Sequence, residues 1–281
     1  MRTISTIGEL RAVLEGDRAA GRTVGFVPTM GYLHDGHASL MRAARADTDV
    51  VVASIFVNPL QFGAGEDLET YPRDLGRDTE LCEAAGVDVL FTPTVEEMYP
   101  EPVLTTVSVA QVSAGLEGES RPTHFAGVAT VVAKLFAIVG PCRAYFGAKD
   151  FQQIAVVRRM ARDLSLPVEV VACPTRREPD GLAMSSRNVY LSPDERAAAP
   201  VLYTALRSGA AAITAGERGP AAVRSLMAQI IEAEPLARLD YAEVVDADSF
   251  TVPEPLTGNL RLLAAVRFGR ARLIDNVGVT V

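Results

Sequence analysis

The unbroken apolar run DVVVASIFVN, residues 49–58, constrains the fold of this chain more than any other segment. A strand covered on both faces, as in a parallel sheet, is continuously apolar and rich in valine, whereas a half-exposed strand alternates. Similar short apolar runs occupy residues 22–29, 87–93, 143–147 and 167–173. Helical segments separate them, which predicts an α/β fold built on a doubly wound, Rossmann-like parallel sheet.

The segments between these strands have helical periodicity, and Asp35 is placed to cap the helix that follows the first strand. The N-terminal segment, residues 1–21, is charged throughout and is expected to form an amphipathic helix and not a signal peptide. Further helices are expected near residues 73–85, 126–139 and 150–164.

The pattern changes near residue 175, where a long polar loop begins. Two helices, roughly 193–215 and 219–233, and three strand-like segments follow it, which is typical of a separate α+β unit. We therefore expect two domains. Residues 1–175 form the Rossmann-like domain, and residues 176–281 form a smaller α+β domain that carries the polar loop.

Charge and cysteine content exclude several classes of protein. The net charge is −8, and no Lys/Arg run stands out, so a nucleic-acid partner is not expected. No apolar run approaches the roughly 20 residues that span a bilayer, so no membrane association is expected. Cys82, Cys142 and Cys173 are few and widely spaced, as in a cytoplasmic protein with reduced thiols.

Polar, aperiodic segments follow four of the expected strands. They are TMGYLHDGH, NPLQFGAG, GAKDFQQ and PTRREPDGLAMSSRN. In parallel sheets, ligands bind beyond the carboxyl ends of the strands. Loops from distant parts of the sequence are therefore expected to converge on one site.

Two of the three histidines, His34 and His37, lie three residues apart at an expected helix start, with Gly36 between them. At this spacing both rings lie on one face, and the helix N-terminus attracts phosphate. Capping or packing of both rings is an equally good interpretation. A metal site is a weaker one, because no nearby His, Cys or Glu cluster completes it.

Lysine is rare in this chain, because only Lys134 and Lys149 stand among 27 basic residues. Lys149 follows a strand and suits a phosphate as a compact charge. Asp150 beside it can cap a helix or bind a ribose diol. The segment AMSSRN is either a phosphate clamp or an ordinary polar loop. Neither a P-loop nor a dinucleotide fingerprint is present.

The sequence segments around these residues, taken together, resemble those of a known family. The pair HDGH and AMSSRN resembles the signatures of the HIGH/KMSKS nucleotidyltransferase superfamily. PTMGYLHDGH, SIFVNPLQF, YPRD, RPTHFAGVATVVAKLF, GAKDFQQ and DGLAMSSRNVYLS, in this order, are similar to the pantoate–β-alanine ligase family. The similarity runs from about residue 24 to 195 and continues weakly to the end.

The resemblance implies an ATP-dependent ligase that joins pantoate to β-alanine. Pantoyl adenylate forms first with release of pyrophosphate, and β-alanine then displaces AMP. Mg²⁺ accompanying ATP, a homodimer and a cytoplasmic location are also implied. The alternatives are another nucleotidyltransferase of the superfamily, transferring adenylyl or cytidylyl groups, and a non-catalytic nucleotide-binding protein. The amide-bearing NPLQF and DFQQ segments favour a hydroxy acid as substrate.

The resemblance also implies roles for individual residues. The expected catalytic residues are His37, His34, Lys149 and Arg187. The pantoate and β-alanine site is expected to contain Asn58, Gln61 and Gln153, and Asp78 is a candidate metal contact. The expected ATP site comprises Met30, Gly31, Tyr32, Leu33, His34, Asp35, Gly36, His37, Gly147, Ala148, Lys149, Asp150, Arg176, Met184, Ser185, Ser186 and Arg187.

Three positions depart from the family pattern. Ala148 stands where glutamate is usual, Arg176 where a small apolar residue is usual, and Tyr32 where a small residue is common. Arg121 and His124 of RPTHF match the pattern, but the resemblance assigns them no role.

Overall fold

The computed structural model describes residues 1–63 and 65–281. The chain forms two compact units. The first comprises Met1–Ala148 and Gln152–Pro174, and the second comprises Lys149–Phe151 and Thr175–Val281. The three residues Lys149–Phe151 therefore pack with the second unit, although the chain on either side of them belongs to the first.

The first unit is built on a six-stranded sheet in which every neighbouring pair is parallel. Its strands, from one edge to the other, are β1 (Arg2–Ile4), β4 (Val89–Phe91), β3 (Val50–Ile55), β2 (Val24–Thr29), β5 (Cys142–Gly147) and β6 (Val168–Cys173). The expected doubly wound parallel sheet is confirmed. The edge strand β1 differs from the expectation of a helix throughout the N-terminus, because Arg2–Ile4 pairs with β4.

Helices cover both faces of this sheet. They are α1 (Ile7–Ala19), α2 (Asp35–Asp47), α3 (Leu75–Ala84), α4 (Val95–Met98), α5 (Glu117–Ser120), α6 (His124–Val139) and α7 (Phe151–Asp163). Successive residues of the central strands enter opposite cores: Phe26 packs on one face with Phe136, and Val27 packs on the other with Met41. Burial on both faces explains why the strands are continuously apolar.

The second unit packs three helices against an antiparallel sheet. The elements are α8 (Pro193–Ala198), α9 (Val201–Thr214), α10 (Pro220–Glu232), β7 (Arg238–Asp246), β8 (Asn259–Phe268) and β9 (Ala271–Thr280). A single helix over 193–215 was expected. It is divided at Pro200, which has no N–H to continue a helix. Within the described ranges, none of the helices reaches the length and hydropathy that a bilayer crossing requires.

Candidate active site

The segments that follow β2, β3 and β5 start from one edge of the parallel sheet, because these strands are neighbours and run in the same direction. The first of them is a tight loop at residues 30–33. Gly31 and Tyr32 both have left-handed backbones, with φ of 81° and 49°. A Cβ atom on Gly31 would lie 3.0 Å from both Asp78 Oδ2 and Ile55 Cγ2, so only glycine fits there without displacing its neighbours.

The Asp78 carboxylate holds this loop in place through two hydrogen bonds from its backbone. Its Oδ2 accepts from the Tyr32 N–H at 2.8 Å and its Oδ1 from the Leu33 N–H at 2.6 Å. Tyr32 is further fixed by the Arg77 guanidinium, 5.2 Å from its ring centroid. The loop therefore adopts the unusual Tyr32 conformation because its backbone N–H groups must reach a buried carboxylate.

Asp78 does not fit the expected metal contact. It is only 1% exposed, both of its oxygens accept backbone N–H groups, and burial raises the pKa of its carboxyl. Across residues 1–63 and 65–281 there is no group of three or more His, Cys, Asp or Glu side chains that could hold a metal ion. The Asp78 carboxylate accepts the N–H groups of the loop and supports it, and it is not offered to Mg²⁺.

The two histidines form the N-terminal cap of α2. His34, and not Asp35 as expected, is the N-cap residue, and its Nδ1 accepts from the Gly36 N–H at 3.1 Å. His37 Nδ1 accepts from the His34 N–H at 3.3 Å, which completes a capping box. Because each Nδ1 is an acceptor, the proton of each neutral ring is on Nε2. Capping thus makes both rings Nε2–H donors, and their centroids lie 4.1 Å apart.

After β3, Asn58 and Gln61 form an amide pair. Asn58 Nδ2 donates to Gln61 Oε1 and to the Gly127 carbonyl, each at 3.2 Å. Its Oδ1 accepts from the Tyr99 hydroxyl at 2.9 Å and from the Leu60 N–H at 3.3 Å. Asn58 is 1% exposed, and both ends of its amide are bonded inside the protein, one of them to the Gln61 amide.

The backbone of Gln61 is held as firmly as its side chain. His124 Nδ1 lies 3.0 Å from the Gln61 carbonyl oxygen, and Arg121 donates to the same oxygen at 3.3 Å. Arg121 also forms a bidentate salt bridge with Glu66, with N–O distances of 2.8 and 2.6 Å. This gives Arg121 and His124 a structural function that the sequence did not reveal: they fix the turn that presents Gln61.

Helix α6 approaches this turn through Gly127. A Cβ atom on Gly127 would lie 2.5 Å from the Leu60 carbonyl carbon and 2.6 Å from Gln61 Cα. Both of these neighbours are backbone atoms, so no movement of a side chain can make room for the added Cβ atom. A glycine inside a helical pattern is the one sequence signal that could have indicated this close approach.

We expect His124 to make the protein less stable in acid. Burial first, and then the Arg121 charge, lower the pKa of His124 from 6.5 to about 4. The folded state holds the ring neutral while the unfolded chain binds a proton, so stability is fully present above pH 6.5 and is lost as pH falls toward 4. The loss is up to about 1.4 kcal/mol per pH unit.

The measurement is urea unfolding of the wild type and His124→Asn between pH 7 and 5. Asparagine keeps an N–H near the Nδ1 position but does not titrate. The stability difference between the two proteins should therefore shrink as the pH falls. Parallel pH profiles would contradict the assignment.

The segment after β5 divides between the two units. In the first unit, a Cβ atom on Gly147 would have no neighbour within 4 Å, and Ala148 packs against the core. Gln152 is 3% exposed; its amide donates to the Val112 carbonyl and its oxygen accepts from the Glu117 N–H. Of the two glutamines in this segment, Gln152 is buried and Gln153 is partly exposed.

The remaining expected site residues lie in the second unit. They are Lys149, Asp150, Arg176, Met184, Ser185, Ser186 and Arg187. Lys149 Nζ lies 3.4 Å from Asp150 Oδ1, and the Lys149 carbonyl accepts from Asn276 Nδ2 at 2.8 Å.

The polar loop of this unit is anchored before its serines. The Met184 N–H donates to the Arg176 carbonyl at 2.9 Å, and Arg177 pairs with buried Asp275 at 2.5 and 3.0 Å. The Arg177 guanidinium also stacks 3.8 Å from the Tyr203 ring centroid. Ser185 caps the following 3₁₀ turn by accepting from the Arg187 N–H.

The doubly wound parallel sheet places the protein in the class of open α/β folds, in which ligands bind outside the carboxyl ends of the strands. The model of the family described as pantoate-beta-alanine ligase matches residues 2–278. The chain belongs to this family, and the ligase class expected from its sequence is confirmed.

Individual proteins agree with this membership. A pantothenate synthetase of Roseiflexus sp. (strain RS-1) is 57% identical over 98% of each chain. The crystal structure of pantothenate synthetase from Thermus thermophilus matches with a TM-score of 0.95 at 53% identity, covering 100% of both chains. The pantoate-beta-alanine ligase of Francisella tularensis, complexed with "Beta-gamma ATP and Beta-alanine", matches with a TM-score of 0.82 at 33% identity over 99% of this chain and 97% of that one.

Proposed function

We propose that the protein condenses pantoate with β-alanine at the expense of ATP, through a pantoyl-adenylate intermediate. Family membership supports the overall reaction, and the ATP-type ligand and β-alanine of the Francisella relative support two of the substrates. The observation that carries the proposal in this chain is the capping box, which turns His34 and His37 into Nε2–H donors at a helix N-terminus.

In the first step a pantoate carboxylate oxygen attacks the α-phosphorus of ATP. A new P–O bond forms, the bond to the bridging oxygen breaks, and pyrophosphate leaves with the electron pair. Negative charge grows on the phosphate oxygens, and preplaced donors stabilise it best. His34 and His37 supply such donors, with His37 the principal one, and Lys149 and Arg187 are proposed to neutralise the polyphosphate.

In the second step the amine of β-alanine attacks the acyl carbon of the adenylate. The amide bond forms, the bond to the phosphate oxygen breaks, AMP leaves with the electron pair, and the amine gives up a proton. Gln61 and Gln153 are proposed to hold the pantoyl group so that the carbonyl meets the amine in a productive geometry.

Other expected contacts complete the proposal. Gly147 and Asp150 are proposed on the adenosine, and Ser185 and Ser186 on the phosphates. Mg²⁺ enters as part of the ATP complex, and no protein ligand for it is proposed. A cytoplasmic homodimer is proposed on the family resemblance alone.

The test is AMP release with each substrate omitted in turn. With ATP, Mg²⁺, pantoate and β-alanine present, we expect AMP and pantothenate in equal amounts. Without β-alanine, a single turnover should leave pyrophosphate and bound pantoyl adenylate. Without pantoate, no AMP should appear, and AMP formed independently of pantoate would refute the assignment.

A further inference from the structure

Tyr99 lies at the start of a hydrogen-bond relay that ends beside the loop at residues 30–33. Its hydroxyl lies 2.9 Å from Asn58 Oδ1, Asn58 Nδ2 lies 3.2 Å from Gln61 Oε1, and Gln61 Nε2 lies 2.9 Å from Met30 Sδ. Both amides are buried. The relay therefore joins a residue immediately after α4 to the amide that is proposed to hold pantoate.

The orientation of the Asn58 amide is fixed by backbone groups of known polarity. The Leu60 N–H can only donate, so the atom facing it is Oδ1; the Gly127 carbonyl can only accept, so the atom facing it is Nδ2. This assigns the Asn58 oxygen to the Tyr99 hydroxyl, which must be the donor. Burial raises the pKa of Tyr99 to about 12, so the hydroxyl keeps its proton at neutral pH.

The same reasoning fixes Gln61. Because Asn58 presents an N–H, the Gln61 atom facing it is Oε1, and the Gln61 NH₂ group points toward Met30. One of its hydrogens meets a thioether, which is a weak acceptor. The other has no partner within residues 1–63 and 65–281 and suits a substrate oxygen.

We propose that Tyr99 is a positioning residue that acts through Asn58 to hold the Gln61 amide with its NH₂ toward an oxygen of bound pantoate. This inference rests on the proposed function. The Asn58 side chain makes four hydrogen bonds, at 2.9 Å to the Tyr99 hydroxyl and at 3.2 to 3.3 Å to Gln61, the Gly127 carbonyl and the Leu60 N–H. The Tyr99 hydroxyl bonds the Oδ1 end of this amide and Gln61 the Nδ2 end, so without the hydroxyl only two backbone groups hold Asn58 in place for Gln61.

The surroundings of Tyr99 keep its ring in place. Lys134 Nζ lies 5.3 Å from the ring centroid, and Phe56 meets the ring edge-on at 5.9 Å between centroids. One of the two lysines in the chain therefore packs over this ring. Replacing tyrosine by phenylalanine preserves both contacts and deletes only the donor.

The test is a double-mutant cycle on pantoate kinetics. Tyr99→Phe should raise the KM for pantoate about 5- to 10-fold, as loss of one buried hydrogen bond does, and leave the KM for ATP within about 2-fold. In a Gln61→Met background, Tyr99→Phe should have no further effect, because the group through which it acts is gone. If turnover of Gln61→Met is too slow, calorimetric binding of pantoate completes the same cycle.

The matched control is Tyr145→Phe, which also deletes a partly buried tyrosine hydroxyl, one bonded to Asp47 at 3.1 Å. It should leave the KM for pantoate unchanged. Equal effects of Tyr99→Phe in the two backgrounds, or equal changes in both KM values, would overturn the positioning role. Absence of pantoate-dependent AMP in the wild type would instead refute the proposed function, so the two failures are distinguishable.

Discussion

His37→Ala lowers turnover by at least ~10² while the protein stays folded, as loss of one preplaced donor to a developing phosphate charge does. The reason is the tautomer. His37 Nδ1 accepts the His34 N–H, so Nε2 carries the proton, which we propose meets the reacting phosphate. The same substitution removes half of the capping box, which costs about 1 kcal/mol of stability. Turnover and stability thus change on very different scales, and saturating AMP-release kinetics and thermal unfolding measure them separately.

Ser39→Ala is the matched control for His37→Ala. Ser39 lies in the same turn of α2, and its hydroxyl donates to the Gly36 carbonyl at 2.7 Å. Its loss perturbs the helix start locally but removes no donor to phosphate, so turnover should stay within about 2-fold of wild type. Near-normal turnover of His37→Ala, or an equal loss in Ser39→Ala, would contradict the role given to His37.

The sequence predicted the fold where burial determines the residue pattern. The run at 49–58 is continuously apolar because β3 is covered on both faces, and the same holds for β2. The prediction from sequence failed where an element is too short for a period to be visible, because β1 has only three residues. It also failed at Pro200, where a local break divides a periodic stretch into α8 and α9.

The candidate site was predictable only in part. The spacing of His34 and His37 indicated a shared role, but not that they cap α2 together, because aspartate at position 35 is the commoner N-cap. Nothing local indicated that Asp78 supports a loop 45 residues away or that Tyr99 reaches Asn58 across 41 residues. These roles arise from contacts between distant segments, for which a single sequence carries no period or propensity.

Gly127→Ala is expected to disrupt the proposed pantoate site without replacing any residue proposed to bind substrate. The new methyl group would overlap the backbone of Leu60 and Gln61, so α6 and the turn must separate. Overpacking of this kind costs about 3 kcal/mol. Because a misplacement of about 1 Å can cost about 10² in rate, kcat/KM for pantoate should fall at least ~10²-fold.

Gly16→Ala is the matched control for Gly127→Ala. Gly16 lies inside α1, and a Cβ atom there would have no neighbour within 4 Å, so alanine should stabilise the protein by about 0.5–1 kcal/mol. The two substitutions add the same methyl group to a helix, and only the obstacle differs. Urea unfolding should therefore show a loss of stability for Gly127→Ala and a gain for Gly16→Ala. Only Gly127→Ala should lower kcat/KM for pantoate. A Gly127→Ala protein with wild-type stability and kcat/KM would show that α6 does not set the position of Gln61.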